Sequence, residues 1–117
     1  MDAKVYSVGK ICFHIEKSNP PQLVVSAEGR VNSSGWTNGR LVPGTAEKPA
    51  DGILDFDFIA AAPSGRFVLQ VISPISGMGS VAFQDWMKGI RVHSSTNQLE
   101  VLLTDASCSV GGRLPLQ

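Results

Sequence analysis

Two carboxylates separated by a single residue, Asp55 and Asp57, are the side chains of this chain best spaced to do chemistry. On a β-strand they point to one face, with Cα atoms about 7 Å apart. That spacing suits a general acid and a general base, or two oxygen ligands of Mg²⁺ or Ca²⁺. A divalent site needs more than two oxygens, and only the fold could bring Asp51 or Asp85 near. With a histidine, the pair would describe a metal-dependent hydrolase. The simpler reading is preferred: a solvent-facing strand side whose charges give solubility and discourage edge pairing.

Cys12 and His14 also share a strand face, and His93 is the only other histidine. Together they would make three zinc ligands. No Cys-x-x-Cys or His-Glu-x-x-His spacing supports that site. Both histidines are therefore expected to be partly buried and hydrogen-bonded, and no metal or cofactor is expected. A nucleophilic Cys12 has only Lys10 on its face to activate the thiol, and is disfavoured. Gly77-Met78-Gly79 lacks the strand–Gly-x-Gly-x-x-Gly–helix setting of a phosphate loop. Trp36 and Trp86 fall in or beside loops. A loop tryptophan can stack on a sugar or anchor a protein partner. Equally, it can cover one end of a core, which is the preferred reading for each. Met78 and Met87 would add adaptable apolar surface nearby.

The rest of the chain bounds what could hold these groups. Its 117 residues suit one domain, and 43% hydrophobic content is enough for one core. Ten basic and ten acidic residues cancel. Neither half forms a basic patch, which disfavours nucleic acid, while charge near zero favours self-association. The opening residues lack a charged region followed by an apolar one, so no secretory leader is expected. No apolar run is long enough to span a bilayer. These features suggest a cytoplasmic protein without membrane attachment. There, Cys12 and Cys108 are expected as thiols, although a bridge between first strand and tail is geometrically open.

Seven strand-like runs are separated by turn chemistry. The first is 4–16, with Gly9 as a bulge or bend, ended by Ser18-Asn19-Pro20-Pro21. Residues 22–31 follow, with Leu23, Val25, Ala27 and Val31 on one face. Residues 36–43 read as a weak edge strand. The clearest run is 53–62, where Leu54, Phe56, Phe58 and Ala60 alternate with Ile53, Asp55, Asp57 and Ile59. A turn at 63–65 should pair it with 66–73 as a hairpin. Residues 73–80 read as a flexible loop, and 81–88 as either strand or helical turn. A second hairpin should join 89–94 to 98–104 across Ser95-Thr96-Asn97. Residues 105–117 read as a polar, Gly-rich flexible tail.

Gly35-Trp36-Thr37-Asn38, Arg40-Leu41-Val42-Pro43, Pro49-Ala50-Asp51-Gly52-Ile53 and Asp55-Phe56-Asp57-Phe58 together resemble a group of small uncharacterised bacterial β-proteins of the mobile gene-cassette type. The resemblance covers about residues 35–72. It implies a small bacterial β-protein and carries no functional residues with it.

The expected fold is an all-β, single-domain antiparallel sandwich of about seven strands, with a small barrel as alternative. The expected role is a non-enzymatic binding or interaction module, self-associating as a homo-oligomer, with a small molecule or protein as further partner. One alternative is a small-ligand or carbohydrate binder using Trp36 and Trp86, with Asp55 and Asp57 as further ligand contacts. The other is the metal-dependent hydrolase.

Overall fold

A computed structural model describes residues 2–44, 49–65 and 68–111. The described residues form nine strands and no helix: β1 (Asp2–Lys4), β2 (Ser7–Glu16), β3 (Gln22–Val31), β4 (Thr37–Pro43), β5 (Ile53–Ala61), β6 (Ser73–Ala82), β7 (Gly89–His93), β8 (Gln98–Leu102) and β9 (Cys108–Val110). They make two packed sheets. One has the order β6-β3-β2-β9; the other contains β1, β4, β5, β7 and β8 around a central β5.

The alternation in β5 does what a two-residue period dictates. Leu54, Phe56, Phe58 and Ala60 are buried, while Asp55, Asp57 and Ile59 are half-exposed on the other face. Phe56 and Phe58 are the largest fully buried side chains. They meet Ile11, Leu23 and Val25 from the opposite sheet in one core. Burial of each large side chain contributes about 1.5–3 kcal/mol, so this layer is the main source of stability. β4 lies antiparallel on one side of β5. On the other side β7 pairs parallel with Ile53–Asp57, and β1 pairs antiparallel with Ile59–Ala61 beyond the end of β7.

The single run expected over 4–16 is two strands in different sheets. Between them Val5 donates its N–H to the Phe58 carbonyl (3.0 Å) before the chain crosses over. The β7–β8 turn stitches this crossing. Ser95 N–H donates to the Val5 carbonyl, and Thr96 N–H and Oγ1 both donate to the Tyr6 carbonyl. Asn97 then acts as a substitute strand neighbour for Val8: its Oδ1 accepts the Val8 N–H at 2.9 Å, and its Nδ2 donates to the Val8 carbonyl at 2.8 Å. The ladder with β3 shifts register between Val8 and Lys10, placing the bulge at Gly9 as expected.

Other expectations need correction. The all-β sandwich is as expected, but it has nine strands among the described residues where about seven were expected, and the β5–β7 ladder is parallel. β5 does not form a hairpin with 66–73: residues 66–67 lie outside the described residues, and 68–72 form no strand. The supposed loop at 73–80 is instead β6, paired along its full length with β3. Its glycines misled because they mark a close approach. A Cβ on Gly77 would sit 2.7 Å from Arg40 N, and one on Gly79 would overlap the Leu41 carbonyl oxygen. Here β4 crosses the inner side of β6 with no room for side chains between the backbones. The 105–117 tail is corrected in part: Cys108–Val110 is a strand, and residues 112–117 lie outside the described residues. The second hairpin is present as β7–β8.

Candidate functional site

The outer face of the five-stranded sheet carries the charges singled out by the sequence. Asp55 lies opposite Arg91 of β7, and Arg91 lies opposite Glu100 of β8. The guanidinium reaches Asp55 (3.1 Å), Glu100 (3.0 Å) and Asp51 (3.5 Å). His93 Nε2 lies 2.7 Å from the same Asp55 oxygen. Asp57 is engaged by Lys4 at 3.6 Å, and Arg40 pairs with Asp2 at the edge of the sheet. Hydrogen bonding to Glu100, followed by the charge of Asp55, raises the Arg91 pKa. The Ile53 N–H, followed by Arg91, holds the Asp51 carboxyl below the ordinary aspartate range.

Asp55 and Asp57 therefore share the expected face, but each already has a cationic partner. On Asp55 the Arg91 guanidinium and His93 Nε2 share the single oxygen Oδ1. Among the described residues no group of three or more His, Cys, Asp or Glu side chains is placed to hold one metal ion. The Cys12/His14/His93 set is not assembled: His14 is on β2 of one sheet and His93 on β7 of the other.

The two tryptophans lie at opposite ends of β5. Trp36 precedes Thr37, which pairs with Ala61 at the end of that strand. Trp86 has its carbonyl beside Gly52, just before the strand begins. Eight strand steps put them about 27 Å apart. Both pack partly buried against the core. Each indole N–H donates within its own loop, Trp36 to Ser33 Oγ (3.1 Å) and Trp86 to Gln84 Oε1 (2.8 Å). They cap two ends of the sandwich and do not form one binding platform.

The sequence reading missed the outer face of the four-stranded sheet. An open groove of about 1270 Å³ crosses it at the Gly9 bulge. Lys10 of β2 and Glu28 and Arg30 of β3 line it, with Ser76 of β6, Thr96 and Asn97 of the β7–β8 turn, and Val110 and Gly111 at the β9 end. Lys10 is paired in register with Glu28 on one side and Val110 on the other. None of Lys10, Glu28 and Arg30 has an ion-pair partner among the described residues. Two-residue spacing on 28–30 signals a shared face, but the register that adds Lys10 and β9 is absent from the sequence.

Beside this groove, Cys12 and Cys108 are disulfide-bonded, which corrects the expectation of free thiols. They face each other across the β2–β9 ladder. Cys108 is exposed and Cys12 half-buried. No protein family, curated protein or solved structure matches this chain. Among the described residues no helix is long and apolar enough to cross a membrane.

Proposed function

We propose that this chain is a non-enzymatic binding module whose ligand surface is the groove at the Gly9 bulge. The observation that carries this reading is a contrast between two sheet faces. On the five-stranded sheet the carboxylates of Asp51, Asp55, Asp57 and Glu100 are matched by Arg91, Lys4 and His93. In the groove Lys10, Glu28 and Arg30 have no such partners among the described residues. Pre-positioned charges of both signs around a concave, hydroxyl-bearing lining suit a polar ligand with anionic groups and donors spaced along it. An acidic oligosaccharide fits that description better than a neutral one.

The test is amide shift mapping with three probes: a sulfated oligosaccharide, an oligoglutamate peptide and a neutral glucan. The reading expects the sulfated probe to shift amides at 9–11, 28–30, 76 and 97, and Lys10→Ala/Arg30→Ala to abolish the response. Silence from all three probes, or shifts centred elsewhere, would refute it.

Self-association is a second property we propose, on a separate observation. Leu69, Val71 and Ile72 are 67%, 49% and 57% exposed on one short segment outside both sheets. Light scattering on a sizing column should give a dimer or larger species, and a monomer at high concentration would remove the idea. We further read the protein as a bacterial cytoplasmic one, in which a disulfide is a redox-responsive feature rather than a permanent staple.

A further inference from the structure

We propose that the Cys12–Cys108 disulfide is a thiol-exchange site and that its reduction opens one wall of the groove. The gating half rests on the groove being the ligand surface; the exchange site does not.

Accessibility comes first. Cys108 is exposed, and so is every residue from Thr104 to Ser107 leading to it. An attacking thiolate therefore reaches the Cys108 sulfur without opening the core. Cys12 is then the leaving group. Lys10 and His14 lie two residues to either side of it on the same exposed strand face, and Lys10 has no ion-pair partner among the described residues. A free ammonium beside a departing thiolate favours its release. The reductant is a dithiol, either a small molecule or a thiol–disulfide oxidoreductase. Its first thiolate forms a mixed disulfide with Cys108 and expels Cys12 as thiolate. Its second thiol then attacks the mixed disulfide. The dithiol ends as a disulfide, and the protein gains two electrons and two protons as two thiols.

Among the described residues β9 is held by this bridge, a three-position ladder with β2 and the approach of Gly111 to Leu99 of β8. The strand has three residues, and Val110 is 70% exposed. Its flanks add two backbone bonds to β2, from Phe13 N–H to the Ser107 carbonyl and from Gly111 N–H to the Gly9 carbonyl. Two and three residues past Cys108, Val110 and Gly111 line the groove, Val110 in register with Lys10. Releasing β9 removes that wall and uncovers the backbone edge of β2. The bridge joins residues 96 apart in sequence, so only the folded chain brings the two sulfurs together.

The experiment uses the full chain, oxidised, treated with dithiothreitol, and as Cys12→Ser/Cys108→Ser. Thiols are counted in native buffer, and amide hydrogen exchange is followed residue by residue. The proposal expects two thiols per chain to appear without denaturant. The Phe13 and Gly111 amides should then exchange at least about tenfold faster relative to those of β3 and β5, which lose only what the drop in global stability takes and remain the best protected. It is overturned if thiols appear only in denaturant, if Phe13 and Gly111 stay protected after reduction, or if protection collapses across both sheets. None of these readouts needs a ligand. Failure of the sulfated probe to bind would therefore sink the groove reading while leaving the exchange result to stand or fall alone.

Discussion

Replacing Gly77 with alanine tests the packing between the two sheets directly. A Cβ there would lie 2.7 Å from Arg40 N, 2.8 Å from Arg40 Cα and 2.9 Å from the Gly39 carbonyl carbon. Ordinary contact begins near 3.4 Å, so the nearest pair falls short by 3.4 − 2.7 = 0.7 Å. All three atoms are backbone, and no side-chain rotation can absorb the shortfall. β4 must move away from β6, loosening Leu41 above the core. Overpacking of this kind costs about 1–3 kcal/mol. Against it stands a gain of about 0.4–1 kcal/mol from stiffening the unfolded chain. The expected net loss is about 1.3 kcal/mol. At ~2.1 cal/mol/K per residue, a chain of 117 residues carries an unfolding entropy near 0.25 kcal/mol/K, so Tm should fall by about 5 °C. The control is Gly65→Ala, where a Cβ meets nothing within 4 Å. Urea and thermal unfolding by circular dichroism would measure both. If Gly77→Ala matched Gly65→Ala within about 0.5 kcal/mol, the claimed backbone-to-backbone approach would be wrong.

Three further outcomes follow from the same structure. Asn97→Ala removes both bonds to Val8 and leaves its N–H without a partner; it should cost about 1–3 kcal/mol, and an unchanged urea midpoint would show that water replaces the amide. Cys12→Ser/Cys108→Ser opens a loop closed over 96 residues of sequence and should cost about 3 kcal/mol, read as a lower urea midpoint than that of the oxidised protein. The Asp51 carboxyl is lowered, so its contribution is complete above the ordinary carboxylate range and is lost as pH falls through its lowered value. Asp51→Asn should flatten that part of the acid limb, and coincident limbs for variant and parent would count against the Ile53 N–H as its main cause.

What was legible in the sequence follows from which forces are local. β3 and β5 alternate cleanly because each has one face on a core and one on solvent, so period two survives in the sequence. The β7–β8 hairpin was legible through its turn residues. β6 was not, because Gly77 and Gly79 answer to a strand that packs across them rather than to their own backbone preference. Residues 68–72 erred in the opposite direction: Val68, Leu69, Val71 and Ile72 have strand-forming composition, but among the described residues Leu69 meets only Ser34, whose N–H donates to its carbonyl and whose Oγ accepts its N–H, and no ladder forms. Asp55 and Asp57 were correctly placed on one face, yet the cations that occupy them come from β1 and β7. The groove depends on register among four strands, and so does the disulfide. A compartment argument weighed against the bridge; the β2–β9 ladder, which no local pattern announces, brings it about.

The placement of β5 has a consequence for how the molecule is made. As the chain emerges from the ribosome, β5 can find β1 and β4 as soon as Ala61 is clear. Its parallel neighbour β7 is synthesised only after β6 has been laid into the other sheet. The last strand, β9, closes on β2, one of the first. Four of the seven ladders among the described residues, β3–β6, β5–β7, β7–β8 and β2–β9, thus wait for residues made after Ala61, a topology that slows folding and prolongs exposure of unpaired edges. Nascent chains ending before Gly89 would present Phe56 and Phe58 with two of the five strands of their sheet missing, so the vulnerable interval in this protein's life is its own synthesis.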